Sequence, residues 1–290
     1  MPYTADPALA FAFLSAFGFG AAIAASTRGL RFLDPRAGAV ISIPTASLLF
    51  LLLAPFTIEP MEFHLWAALI FAGIGLFFPA IATLLAFASN SRLGPTVTSA
   101  ISSTAPLFAL LAAALILGEH IPAKAPVACV LVIAGITLLS WKSNLIGPDV
   151  LTWALVLPLS SAIVRGFAQV VAKLGLALWP NPFSAALISY AMSSAVVVTA
   201  NRMRPTRNAG YFRAGGIWFV LTGLLNGAAV LLMYSALRKA PVSLVAPIVA
   251  MFPLVTTLLA TVVFRDEPLT LRTVAGSAVI VAAISYLVAG

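Results

Sequence analysis

The chain has 290 residues, of which 62% are hydrophobic and 8% are charged, and its formal net charge is +8. A soluble domain carries about 25% charged residues, so this composition excludes a water-soluble globular domain and indicates one integral membrane unit. The basic side chains lie in short links between apolar runs, where they face the cytoplasm and anionic lipid, so nucleic acid is not an expected partner. The one cysteine, Cys129, cannot form an internal disulfide.

Ten apolar runs are long enough to be membrane-spanning helices, which need about 20 mostly apolar residues. The predicted ranges are 8–27, 37–56, 64–88, 95–117, 124–141, 151–172, 182–200, 214–236, 241–264 and 270–289. Nine helices are the alternative count, because the run 151–172 carries charge. The first run lacks the basic leader of a signal peptide, so we expect it to be a retained helix. The sequence therefore predicts an all-α membrane protein with short connections.

One motif occurs twice along the chain. Arg92-Leu93-Gly94-Pro95 is followed by Pro106 and Gly118-Glu119, and Arg238-Lys239-Ala240-Pro241 is followed by Pro253 and Asp266-Glu267. The spacing between the two prolines is 11 positions in the first copy and 12 in the second. The repeat divides the chain near Gly147-Pro148 into residues 1–146 and 147–290, each with five predicted helices. Because five is odd, the second half is expected to cross the membrane upside down, as in many secondary transporters.

The two copies resemble the EamA domain of the drug/metabolite transporter superfamily. The matching text is Ala88–Pro95, Pro106-Leu107-Phe108, Leu117-Gly118-Glu119 and Gly135 in the first half, and Tyr234–Pro241, Pro253-Leu254-Val255, Asp266-Glu267 and Gly276 in the second. The resemblance implies alternating-access movement of small organic metabolites, often outward, without naming a substrate. Two features depart from the family pattern: Phe17 and Phe19 replace a tryptophan in the first helix, and Glu59 and Glu62 make the second link acidic.

The charged residue that stands out is Arg165, about 14 positions into the predicted helix 151–172. A central arginine costs roughly 2.5–3.5 kcal/mol on insertion scales, so it usually faces a cavity or a partner. One interpretation is that Arg165 binds an anionic group of the substrate, with Gln169 on the same face one turn later. The other is that the helix starts late, so that Arg165 reaches the interface or pairs with a loop carboxylate.

Weaker candidates for a transport pathway are polar residues at helical spacing. Ser99 and Ser103 share one face of the fourth predicted helix with Thr96, and Asn226 and Tyr234 lie in the eighth. Serine hydroxyls can bond to carbonyls of their own helix, whereas the Asn226 amide needs an outside partner in lipid. Pro106 and Pro253 occupy matching positions in the two halves, and we expect paired kinks there beside a central cavity.

No aspartate or glutamate lies well inside a predicted helix. Glu119 and Glu267 fall at helix ends, where pairing with a nearby lysine or arginine is favoured over a transport role. A proton-coupled exporter of cationic drugs needs a buried carboxylate, so this function is the disfavoured alternative. The sequence predicts a secondary transporter that exports an anionic or zwitterionic metabolite, such as an amino acid. A non-transporting membrane sensor and a lipid-translocating carrier remain further alternatives.

Enzyme signatures are missing from the sequence. The two histidines, His64 and His120, lie near predicted helix ends, and no phosphate-binding glycine loop or nucleophile–base pair is present. We therefore expect no enzymatic activity, no metal site and no cofactor. The expected partners are a small-molecule substrate and the lipid bilayer, and the sequence does not determine a coupling ion or an oligomeric state.

The distribution of basic residues predicts the orientation in what we expect to be a bacterial inner membrane. The links after odd-numbered predicted helices hold 11 basic residues, namely Arg28, Arg31, Arg36, Arg92, Lys142, Arg202, Arg204, Arg207, Arg213, Arg265 and Arg272. The other links hold 4, namely Lys124, Lys173, Arg238 and Lys239. Positive loops stay in the cytoplasm, so the count places both termini outside. The family resemblance favours the opposite orientation.

Overall fold

The computed structural model describes residues 5–57, 63–140, 152–203, 212–263 and 270–288, and no strand occurs among them. The helices are α1 (Ala5–Gly29), α2 (Pro35–Thr57), α3 (Leu65–Phe77), α4 (Ala80–Ser102), α5 (Ala105–Leu117), α6 (Lys124–Ser140), α7 (Val156–Leu178), α8 (Pro182–Met203), α9 (Phe212–Lys239), α10 (Val242–Val249), α11 (Phe252–Leu258) and α12 (Leu271–Val288). The predicted boundary at Gly147-Pro148 lies outside the described residues, as do Glu59, Glu62, Asp266 and Glu267.

Within this part of the chain, 6 helical runs are long and apolar enough to cross a membrane. They are Pro7–Gly29, Pro35–Thr57, Leu65–Leu93, Val156–Leu178, Pro182–Met203 and Ala214–Lys239. Shorter apolar helices occupy Ala105–Leu117, Lys124–Leu138, Val242–Leu258 and Val274–Val288, where the sequence predicts the remaining crossings. The all-helical, membrane-embedded character of the chain is therefore confirmed, and the count of ten crossings stays a prediction.

Three predicted helices are interrupted in the structure. The run 64–88 breaks between α3 and α4 at Phe78 and Pro79, which are joined by a cis peptide bond. The runs 95–117 and 241–264 each break immediately before the repeated proline, so Pro106 and Pro253 are the second residues of α5 and α11. Both prolines thus follow directly on a break in their predicted helix, and paired kinks beside a central cavity stay a prediction. Proline is tolerated in the first turn of a helix because no backbone donor is needed there.

The chain reverses direction inside α4. In a straight helix Ser89 and Thr98 would be separated by about 13 Å, because each residue adds about 1.5 Å. Their hydroxyls are instead 2.7 Å apart and share a hydrogen bond. Residues 80–102 therefore form two arms that turn between Ser89 and Thr98, and the sequence predicts the end of one helix and the start of the next in this stretch.

The packing of the two halves follows a pseudo-two-fold pattern. Helix α1 packs on α9 and α11, and α7, which takes the place of α1 in the second half, packs on α3, α4 and α5. Likewise α2 packs on α9 while α8 packs on α3, and the pairs α2–α8 and α6–α12 contact each other across the centre. Exchanging the halves therefore maps one set of helix contacts onto the other.

Small residues in α1 and α7 repeat this symmetry in detail. The Ser15 hydroxyl donates to the Ala229 carbonyl (2.8 Å), and the Ser161 hydroxyl, 146 positions later, donates to the Ala82 carbonyl (3.1 Å). Five residues further on, a Cβ added to Gly20 or Gly166 would lie 2.6 or 2.8 Å from the carbonyl oxygen that precedes Pro253 or Pro106. Glycine and serine here let backbones approach closely without an apolar driving force from water.

Candidate functional site

Arg165 lies near the middle of α7, which runs from Val156 to Leu178 rather than over the predicted 151–172. Its guanidinium carbon lies 5.4 Å from the ring centre of Phe19 in α1 and 5.6 Å from that of Phe252 at the start of α11. These rings contribute a cation–π attraction of about 2 kcal/mol at a desolvated site. Among the residues that the structure describes, no carboxylate pairs with this guanidinium. Arg165 is therefore a central cation held by aromatic faces.

Two cavities meet at Arg165. The first has a volume of about 30 Å³ and is lined by Ala22, Ile23, Ser26, Thr83, Ala86, Phe87, Asn90, Thr98, Ser102, Arg165, Asn226 and Phe252. The second has a volume of about 20 Å³ and is lined by Phe19, Phe78, Ala105, Pro106, Arg165, Gln169, Met233, Ala246, Val249, Ala250 and Phe252. Each could hold about one water molecule, so the site is closed in this conformation.

Buried polar atoms without hydrogen-bond partners surround the two cavities. They include Asn90 Oδ1, Gln169 Oε1 and the hydroxyl groups of Tyr190 and Tyr234. The Tyr190 hydroxyl lies near both Arg165 and Tyr234. The Tyr234 hydroxyl lies beside Ser189, although its geometry does not satisfy a hydrogen bond. An unmade hydrogen bond costs about 1–3 kcal/mol for each buried group, so this cluster is suited to a polar ligand that supplies the missing partners.

The structure brings some of the predicted site residues together and separates others. Gln169 and Pro106 line the second cavity and Asn226 lines the first, each together with Arg165. Tyr234 is fully buried and lines neither cavity. Pro253 lies on neither wall, and the preceding Phe252 lines both.

Of the two serines predicted on one face of the fourth helix, the structure describes the side chain of Ser103. Ser103 is fully buried in the break between α4 and α5, has a bonding partner and lines neither cavity. The Ser99 side chain lies outside the described residues. Thr98 and Ser102 line the first cavity instead. One residue turns a helix by about 100°, so Thr98 and Ser102 lie on a different face of this arm from the one that the sequence predicts for the site.

Sequence reasoning missed Asn90 and the polar role of Tyr190. Asn90 lies in Ser89-Asn90-Ser91-Arg92, which was interpreted as part of a link because it is the most polar stretch of its region. The reversal of α4 folds this stretch onto the first cavity. An asparagine next to a predicted helix end is the signal that could have identified it, since its amide needs partners in lipid.

Glu119, which ends the first copy of the motif, binds the turn of the second copy. Its carboxylate accepts hydrogen bonds from the backbone of Val242 (3.1 Å) and Ser243 (3.0 Å) and from the Ser243 hydroxyl, at the start of α10. The Lys173 ammonium donates to the carbonyls of Leu237 and Ala240 at the end of α9. A carboxylate at a helix start and a cation at a helix end both complement the helix dipole. The α9–α10 turn is thus clamped from two sides.

Metal-binding chemistry is not indicated by the part of the chain that the structure describes, since no group of three His, Cys, Asp or Glu side chains occurs there. Cys129 is fully buried in α6 with a free thiol.

A helical membrane protein with two related halves and a buried arginine where they pack has the architecture of a small-molecule transporter. The sequence profile of the EamA-like transporter family matches residues 6–141 and 152–289, and the chain belongs to this family, which is part of the drug/metabolite transporter superfamily. Members of the family are transporters rather than enzymes. No curated protein matches the chain. A solved structure described only as "Crystal structure of protein" is similar in fold, with a TM-score of 0.81, 13% identity, and coverage of 99% of this chain and 98% of the other.

Proposed function

We propose that this protein is a secondary transporter that exports a small anionic or zwitterionic metabolite by alternating access. The observation that carries the proposal is the Arg165 guanidinium, which lies between two cavities and has no carboxylate partner in the described part of the chain. A desolvated cation is costly unless it is paired. An oxyanion of the substrate is the group that completes this site.

The composition of the cavity walls supports an anion over a cation. No aspartate or glutamate lines either cavity among the described residues. A cationic substrate would meet a like charge and no counter-charge, which costs several kcal/mol in a site of low dielectric constant. The unpartnered amide oxygens of Asn90 and Gln169 can accept hydrogen bonds from the ammonium group of a zwitterion.

Alternating access is supported by the symmetry and by the size of the cavities. Volumes of about 30 and 20 Å³ are too small for a metabolite, so the helices around Arg165 must separate before a substrate can enter. The proposed halves are residues 1–146 and 147–290. If each half can adopt the packing of the other, the site opens first at one end and then at the other. Ten crossings in two inverted sets of five complete this proposal.

The proposed location is a bacterial inner membrane with both termini outside. Arg36 at the start of α2 and Asn201 at the end of α8 line a common cavity, so these two ends lie on the same side of the protein. Both ends belong to links that the charge count assigns to the cytoplasm.

The test is transport by the purified chain in proteoliposomes loaded with an isotopically labelled mixture of acidic and zwitterionic metabolites, with efflux followed by mass spectrometry. Arg165→Ala is expected to abolish efflux of every metabolite that the wild type moves, and Arg165→Lys to retain only part of it, because an ammonium cannot form the bidentate contact. The control is Lys124→Ala, which removes another cation that lies over an aromatic ring, 5.6 Å from that of Tyr286. Undiminished efflux by a folded Arg165→Ala protein would contradict the proposal. Binding without flux would identify a sensor, and movement of labelled lipid would identify a lipid carrier.

A further inference from the structure

The two cavities beside Arg165 are built from equivalent elements but differ in polarity. We propose that they bind the two ends of one amphipathic substrate, with its oxyanion on Arg165, a polar group in the first cavity and an apolar group in the second. The inference rests on the proposed function and narrows its substrate class to small acids with one polar and one apolar branch.

The equivalence of the walls follows from the pseudo-two-fold packing. The first cavity is formed by α1, both arms of α4, a residue of α9 and the start of α11, and the second by α7, α9, α10, the start of α5 and Phe78 after α3. Arg165 and Phe252 line both cavities, and Phe19 also lines the second. These sets exchange when the halves exchange, as the Ser15/Ser161 and Gly20/Gly166 pairs show. Arg165 itself takes the place of Phe19, 146 positions earlier, and the two side chains contact each other at the centre.

The side chains on these equivalent walls differ in polarity. In the first cavity the arms of α4 present Thr83, Asn90, Thr98 and Ser102, α1 presents Ser26, and α9 presents Asn226. In the second cavity α9 presents Met233, α10 presents Ala246 and Val249, and the end of α3 presents Phe78. Gln169 is the one polar side chain there besides Arg165. The backbone elements of the two cavities are therefore equivalent, but the side chains on the first wall are more polar than those on the second.

Hydrogen-bonding capacity is available in the first cavity. Asn90 Oδ1 is buried without a partner, whereas the Thr98 and Ser26 hydroxyls are already bonded to Ser89 and to the Ile23 carbonyl. A polar branch of the substrate can satisfy Asn90, while an apolar branch would leave it unsatisfied. The second cavity favours an apolar branch. A polar branch among Met233, Ala246 and Val249 would lose its hydration, and the Gln169 amide is the group that could replace it.

Thermal unfolding of the purified chain with isosteric ligand pairs tests this assignment. Leucine and asparagine have nearly the same shape, as do valine and threonine, and each pair keeps the carboxylate and ammonium constant. Leucine or valine is expected to raise the unfolding temperature at concentrations roughly tenfold below those of its polar counterpart.

Substitutions that change the polarity of a cavity wall but keep its shape test which cavity binds the polar branch of the substrate and which binds the apolar branch. Val249→Thr adds a hydroxyl to the apolar cavity, and it should weaken the preference for leucine over asparagine by roughly tenfold. Asn90→Leu should weaken binding of both ligands, because both lose the same polar contact. Thr83→Val provides a second, isosteric change of the polar wall. Val249→Ala is the control, since it alters volume without adding a polar atom.

The outcomes separate this inference from the proposed function. Binding of asparagine and threonine as strong as that of leucine and valine overturns the amphipathic assignment while the anion site stands. An unchanged preference in Val249→Thr also overturns it. If none of these oxyanions raises the unfolding temperature of the wild type, and Arg165→Ala transports normally, the proposed function fails as well.

Discussion

At the scale of single residues, the centre of the molecule is defined by one arginine opposite the phenylalanine that holds its equivalent place. Arg165 could be identified from the sequence because a charge inside an apolar run is costly. Its partners could not, because Phe19 and Phe252 belong to α1 and α11 and reach it only through the packing of the two halves. Sequence spacing along one helix predicts Gln169 beside Arg165, but it carries no information about Asn90 in α4.

Glycines next to the site provide a residue-scale test of the packing. A Cβ on Gly166 would lie 2.8 Å from the Ala105 carbonyl oxygen and 2.9 Å from the Ala109 nitrogen, whereas a Cβ on Gly73 would meet no atom within 4 Å. Gly166→Ala is expected to destabilise the protein by about 1–3 kcal/mol through overpacking against backbone. Gly73→Ala is expected to leave stability unchanged or raise it by up to about 1 kcal/mol, because alanine is the better helix former.

Thermal unfolding in detergent measures both variants, and Gly20→Ala extends the comparison to the equivalent contact in α1. Equal unfolding temperatures for Gly166→Ala and Gly73→Ala would show that α5 and α7 are not in close contact there.

At the scale of elements, the sequence predicts where helices exist better than where they break. The repeated prolines mark the breaks before α5 and α11, because a proline starts a helix more easily than it continues one. The sequence also predicts the turn within α4, because the polar stretch Ser89-Asn90-Ser91-Arg92 separates the predicted helices 64–88 and 95–117. The break at Pro79 was missed because the flanking run 64–88 is uniformly apolar and no charge marks a boundary.

The hydrogen bonds of Glu119 and Lys173 to the α9–α10 turn are expected to oppose opening of the second cavity. Glu119 and Lys173 hold the end of the molecule next to the second cavity through five hydrogen bonds. Loss of a charged helix cap costs about 1–2 kcal/mol, so Glu119→Ala should raise the population of the open form by roughly tenfold.

The rate of thiol modification measures this opening. A cysteine introduced at Val249 in the second cavity should react with a maleimide about tenfold faster in Glu119→Ala than in the parent, while the buried Cys129 is replaced by alanine in both proteins. Lys173→Met should act in the same direction, and Lys124→Ala is the control for loss of a surface charge. An unchanged rate in both clamp variants would exclude the clamp as a barrier to this cavity.

At the scale of the whole molecule, the repeat was recognisable from sequence although the two halves share few identical residues. What repeats along the sequence is a basic residue before a proline, a second proline 11 or 12 positions later, and a carboxylate near the end of the predicted helix. The structure adds a link between the copies, because the carboxylate of the first copy, Glu119, binds the turn of the second, which ends at Pro241. The sequence alone does not show whether a carboxylate will contact its own copy of the motif or the other copy.

The orientation of the whole molecule gives the last prediction. Basic residues are concentrated in the links after odd-numbered predicted helices, 11 against 4, and translocation of positive loops is disfavoured. Alkaline phosphatase fused after Gly290 should therefore be active outside the cytoplasm, and green fluorescent protein fused there should be dark. Fusions after Thr270, before α12, should show the opposite pair of results, because one crossing fewer separates them from the first helix. If fluorescence appears at Gly290 and phosphatase activity at Thr270, both termini are inside, and local packing outweighs the charge bias. If both positions report the same side, α12 does not cross the membrane, and the second half cannot be an inverted copy of the first.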